Sequence, residues 1–208
     1  MGRVEAFSDG VIAVIITIMV LELKAPEAAT PEALRAALPA LFLYALSFII
    51  VASMWVHHHG LLKTAKKTTP RFLWSNINLL FWMSLIPFAT ATVGKFPRDP
   101  WPVAAYAAVF FLTSLSFSIL QTVLARHNRE DTARMQSLLR VRFKALFSVF
   151  CYLASMVAAF VYLPVAYGLF FLVAVAYVVP PLMFDREFSE IAPSELEEMK
   201  GVEAGVDC

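Results

Sequence analysis

Four stretches of the chain, residues 39–62, 72–94, 101–125 and 145–184, contain no Asp, Glu, Lys or Arg. Each of the first three is about one bilayer thick, since a crossing takes roughly 20 residues at about 1.5 Å each. The fourth has 40 residues, room for two crossings, and Leu163-Pro164-Val165-Ala166-Tyr167-Gly168 supplies a turn signal between them. Ahead of these lies RVEAFSDGVIAVIITIMVLEL at 3–23, in which only twelve uncharged residues, Gly10 to Leu21, separate Asp9 from Glu22. For this segment to cross a bilayer, Ser8 and Asp9 must sit inside the helix, near the depth of the interface. An ionisable group there is costly and faces a protein interior or a water-filled path. The pattern therefore predicts six helices near 4–24, 39–61, 72–94, 101–125, 143–162 and 166–184. They form an all-α membrane domain over 1–184, followed by a short polar tail over 185–208.

Composition supports that class. The chain is 60% hydrophobic and 16% charged, with a mean hydropathy of +0.70, values that 208-residue soluble domains rarely reach. A net charge of +1 gives no reason to expect a nucleic-acid partner. Cys151 and Cys208 match no metal-site spacing and are poorly placed for a disulfide. The distribution of basic residues sets the orientation. Arg3, Lys63, Lys66, Lys67, Arg71, Arg126, Arg129, Arg134, Arg140, Arg142, Lys144, Arg186 and Lys200 fall on one side, against Lys24, Arg35, Lys95 and Arg98 on the other. Both termini are expected in the cytoplasm, with the protein in the cell membrane. A cleaved leader over 1–29 is the weaker reading, because Glu5 and Asp9 interrupt its basic start and its loss would scramble the charge rule.

Comparing depths between the predicted helices yields a polar layer on the cytoplasmic side. Ser8 and Asp9 lie one to two turns into the first helix. Trp55, His57, His58 and His59 close the second at a similar level, and Trp74, Asn76 and Asn78 open the third there. Buried polar groups persist when they bond to one another, so Asp9 is expected to pair with Arg3, a histidine or both. The layer reads either as glue between helices or as the anchor of a functional helix. Successive helical residues point about 100° apart, so the three histidines alone build no metal site. Beyond Asp9, Val14, Ile18 and Leu21 share one face, with Thr17 beside it. Periodicity leaves open whether that stripe meets neighbouring helices, lipid or a pore. No carbonyl selectivity filter, nucleotide loop or catalytic dyad is present, so no enzymatic activity is expected.

Arg3-x-x-x-Phe7-Ser8-Asp9 opening the first span, followed by Gly10-Val11-Ile12-Ala13-Val14-Ile15-Ile16-Thr17-Ile18, resembles the signature of the endolysosomal potassium channel family, transmembrane protein 175, and its prokaryotic relatives. The resemblance extends to Trp55-Val56-His57-His58-His59 and to Asn76…Asn78…Pro87-Phe88-x-Thr90. It implies a homotetramer of six-helix subunits whose first helices line a central pore. In that family the constriction consists of hydrophobic side chains, with a threonine layer nearby. Matched from Phe7-Ser8-Asp9, the constriction here is Val14, with Ile18 and Leu21 further out and Thr17 as the threonine. Arg3, Phe7, Ser8, Asp9, Trp55, a histidine among His57, His58 and His59, and Asn76 and Asn78 would support that helix. The family's first constriction residue is usually isoleucine or leucine; here it is valine, one methylene smaller.

The function so implied is a bacterial, potassium-preferring cation channel. It conducts K+ and other monovalent cations passively, in contact with the lipid bilayer and without a cofactor or a metal beyond the permeating ion. The alternative is a proton-coupled secondary transporter that relays protons through Asp9 and the histidines. The absence of inverted repeats and of broken mid-membrane helices in the sequence reading counts against it.

Overall fold

The computed structural model describes the backbone of residues 2–63, 65, 68–127 and 132–183, and the side chains among them except those of 126–144 and 179–183. Within these residues the chain is helical throughout: α1 Gly2–Leu21, α2 Pro31–Lys63, α3 Pro70–Ser84, α4 Ile86–Lys95, α5 Pro100–His127, α6 Thr132–Val161 and α7 Leu163–Met183. The expected tail over 185–208 lies outside the described residues.

Local chemistry sets the helix ends. At α2 the Ala33 amide donates to Thr30 Oγ1 at 3.3 Å, so the helix starts at Pro31, eight residues before the predicted start at 39. Hydropathy marks the lipid-facing length, whereas the helix continues to its cap. Thr69 caps α3 in the same way by accepting from the Phe72 amide at 3.3 Å, and Pro70 occupies the first turn, where its missing N–H costs nothing. The predicted turn between the last two helices shifts to Tyr162 alone. Pro164 falls in the first turn of α7 and Gly168 is helical.

The third predicted span is two helices. Leu85 separates α3 from α4, and Pro87 provides the cause: it has no N–H for the carbonyl of Met83, and its ring crowds that carbonyl. This break corrects the expectation of an unbroken third helix.

Among the described residues, α1, α2, α3–α4 taken together and α5 are long and apolar enough to cross a membrane. The apolar segments Ala145–Val161 and Leu163–Val178 are shorter. α5 is the hub, packing on α3, α4, α6 and α7, while α1 lies against α2, α3 and α4. The core is aromatic. Tyr106 and Phe170 rings lie 4.5 Å apart, Tyr106 and Phe110 4.8 Å, Tyr152 and Phe170 5.1 Å, and Phe110 and Tyr152 5.4 Å. Each such pair contributes about 0.5–1.5 kcal/mol beyond its buried area. Ser47 of α2 hydrogen-bonds the Tyr106 hydroxyl at 2.8 Å and accepts from Thr90 of α4 at 3.0 Å, which ties the segment after the break to the core.

Candidate functional site

α1 has two apolar faces with different surroundings. Ser8, Ile12, Ile15 and Met19, spaced to form one stripe, are buried against the neighbouring helices. On the other side Val14 is 54% exposed, Ile18 41% and Leu21 79% within the single chain. Thr17 is exposed beside them, and its hydroxyl donates to the Val14 carbonyl at 2.9 Å. That bond orients the hydroxyl and leaves its oxygen lone pairs free to accept. Val14 and Ile18 border a groove of about 680 Å³ that α1 forms with the broken third span; Phe7, Gly10, Pro87 and Phe88 line it too.

Behind this face, the three consecutive histidines of α2 reach three different helices, as a 100° rotation per residue requires. His57 points toward α7: its Nδ1 lies 2.7 Å from its own helix's Ser53 carbonyl, and its ring meets Tyr177 edge-on at 5.2 Å. His58 points toward α3, where its Nε2 bonds Asn76 Oδ1 at 2.8 Å. Asn76 Nδ2 in turn donates to Ser8 Oγ at 2.9 Å, and Ser8 donates to the Val4 carbonyl at 2.9 Å. The buried chain His58–Asn76–Ser8 therefore pins α1 to α2 and α3 one turn from its start. His59 points toward α1, with Nδ1 3.2 Å from Glu5 Oε1.

Asp9 accepts from Trp55 Nε1 at 2.8 Å, and the Trp55 ring stacks on His59 at 5.8 Å. The expected pairing of Asp9 with Arg3 does not occur among the described residues, where the ion pair is the one between Glu5 and His59. Arg3 and Phe7 are exposed. Asn78 turns away to α5, donating to Ser116 Oγ at 2.7 Å. Of the residues placed in one polar layer, the structure thus joins Ser8, His58 and Asn76 in one chain, and Asp9, Trp55 and His59 in a second. His57, Asn78, Arg3 and Phe7 stand outside both.

Glu5 went unrecognised as part of this arrangement, although its i, i+4 spacing to Asp9 was a usable signal. Pro87 and Phe88 were noted only as part of a motif. Their place beside Val14 depends on the break at Leu85, which hydropathy does not register.

Residues 3–87, from the start of α1 to the break in the third span, match the sequence model of the family described as endosomal/lysosomal potassium channel TMEM175. A potassium channel of Chryseobacterium sp. (strain P1-3) is 38% identical over 189 residues, which are 91% of this chain and 98% of that protein. The endosomal/lysosomal proton channel TMEM175 of Rattus norvegicus is 31% identical over 145 residues, covering 62% of this chain and 29% of the rat protein. The crystal structure of a lysosomal potassium-selective channel TMEM175 homolog from Chamaesiphon minutus superposes with a TM-score of 0.72 at 28% identity, covering 86% of this chain and 96% of that one.

Proposed function

The chain belongs to the TMEM175 family of potassium channels, and from that premise we propose that four copies assemble around an axis lined by α1, forming a passive, potassium-preferring cation pore. The observation that carries the reading is the face of α1 bearing Val14, Ile18 and Leu21, which its own subunit leaves uncovered while the opposite face is buried. Four-fold symmetry would bring four copies of that face together.

Such a ring offers an ion no replacement for its hydration shell and can close by dewetting. Conduction then requires the ring to widen or the ion to shed water. Potassium holds water less tightly than sodium, so the barrier favours it modestly. Thr17, with its proton committed to the Val14 carbonyl, presents an acceptor oxygen next to the apolar ring and can return some ligation. The chain His58–Asn76–Ser8 and the bond from Trp55 to Asp9 hold the cytoplasmic end of α1 in register. In this reading residues 1–184 are the channel unit, 185–208 a cytoplasmic tail, and both termini lie in the cytoplasm of a bacterial cell.

A proton-coupled carrier is the second reading. The break at Leu85 favours it, because discontinuous spans are a hallmark of carriers. Potassium efflux from vesicles loaded with the purified protein separates the two. A channel gives flux that rises without saturation and ignores a pH gradient once the membrane voltage is clamped. Saturable uptake driven by the pH gradient would replace the channel reading with the carrier.

A further inference from the structure

The cluster formed by Glu5, Asp9 and His59 has no part in the proposed pore. Glu5 and Asp9 stand one turn apart on α1, His59 reaches them from α2, and one ligand atom from each lies within 4.8 Å of the other two. We propose that these three side chains bind a borderline divalent cation of the zinc type, bridging the first turns of α1 to the end of α2.

The donor set and its geometry support this. Tetrahedral zinc bound at about 2.0–2.2 Å places its ligand atoms about 3.3–3.6 Å apart. His59 Nδ1 and Glu5 Oε1 are 3.2 Å apart, close to one such edge, and a modest rotation of the Asp9 carboxylate closes the others. His59 Nδ1 is sealed from solvent yet has no hydrogen-bond partner among the described residues, so its lone pair faces the carboxylates. The surrounding contacts are those that orient metal ligands: Trp55 Nε1 donates to one oxygen of Asp9 and leaves the other free, and the Trp55 ring stacks on the imidazole.

Charge points the same way. Two carboxylates at i, i+4 repel each other, and the described residues offer them no Lys or Arg ion pair. A dication balances both. An imidazole ligand favours zinc and its neighbours over magnesium or calcium, which prefer oxygen. All three side chains are partly buried, leaving a way in and a fourth position for water.

The test is calorimetric titration of zinc chloride into the metal-free, detergent-solubilised full chain, a readout that needs no ion conduction and so does not depend on the channel reading. One site per chain is expected in the wild type, kept in Cys208→Ser, weakened at least tenfold in Glu5→Gln and lost in His59→Gln. Glu5 has no part in the buried chain His58–Asn76–Ser8, so Glu5→Gln keeps the test decisive even where His59→Gln fails to fold. Unchanged zinc affinity in Glu5→Gln, or no zinc binding by the wild type, would overturn the proposal.

Discussion

Asn76 and Asn78 are two residues apart, yet the structure gives them different consequences. Asn76 bonds both His58 and Ser8 in a buried site, so Asn76→Ala strands the His58 Nε2–H and removes a link between three helices. Asn78 makes its bond to Ser116 in a partly buried position. Polar contacts inside membranes average about 0.6 kcal/mol and reach about 1.7 kcal/mol, and a stranded buried donor adds to the loss. Asn76→Ala is therefore expected to destabilise the subunit by about 1–2 kcal/mol and Asn78→Ala by about 0.5 kcal/mol, measured by reversible unfolding in detergent. Equal losses would mean that the His58–Asn76–Ser8 chain has no special weight. Counting residues from the span ends placed Ser8, His58 and Asn76 at one depth, and the structure joins them. Which histidine meets which helix was not legible. That depends on the rotation of α2 about its own axis, and three consecutive histidines look alike in one dimension. Arg3 misled for a similar reason: opposite charges near each other in sequence suggested a pair, while the indole of Trp55, 46 residues from Asp9, took the place.

Among the elements, the broken third span departs furthest from the sequence reading. Pro87 was visible, but a proline within an apolar stretch is compatible with a bend, a turn or a helix start. Packing decides the outcome here, because Thr90 beyond the break is held by Ser47, which also holds Tyr106. Ser47→Ala should cost more than Thr90→Val, since it strands the buried Tyr106 hydroxyl as well. The double mutant should show a coupling of about 0.6 kcal/mol or more. Strict additivity of the two changes would indicate that the Ser47–Thr90 bond does not secure α4. Hydropathy located the membrane-crossing stretches well, because it reports the thickness of lipid each helix faces. It missed the start of α2 and the turn at Tyr162, since caps and first-turn prolines mark helix ends and lipid exposure does not.

For the whole molecule, the sequence carried family membership in one short motif around Phe7-Ser8-Asp9, and the match over residues 3–87 covers that motif. Assembly has a different basis: one subunit leaves Val14 and Ile18 uncovered, and we propose that symmetry covers them. Native mass spectrometry in mild detergent should accordingly give a four-chain mass, and a dimer would remove the four-fold ring. Valine at position 14 makes the ring wider than leucine would, so Val14→Leu should lower conductance and strengthen the preference for potassium. The central claim is a hydrophobic constriction on α1, and planar-bilayer recording of the purified protein under opposed potassium and sodium gradients tests it most directly, with Val14→Asn and Ile18→Asn alongside. The account predicts discrete currents that reverse toward the potassium potential in the wild type, with higher conductance and weaker selectivity in both variants. Wild-type currents that both substitutions leave unchanged would place the constriction elsewhere.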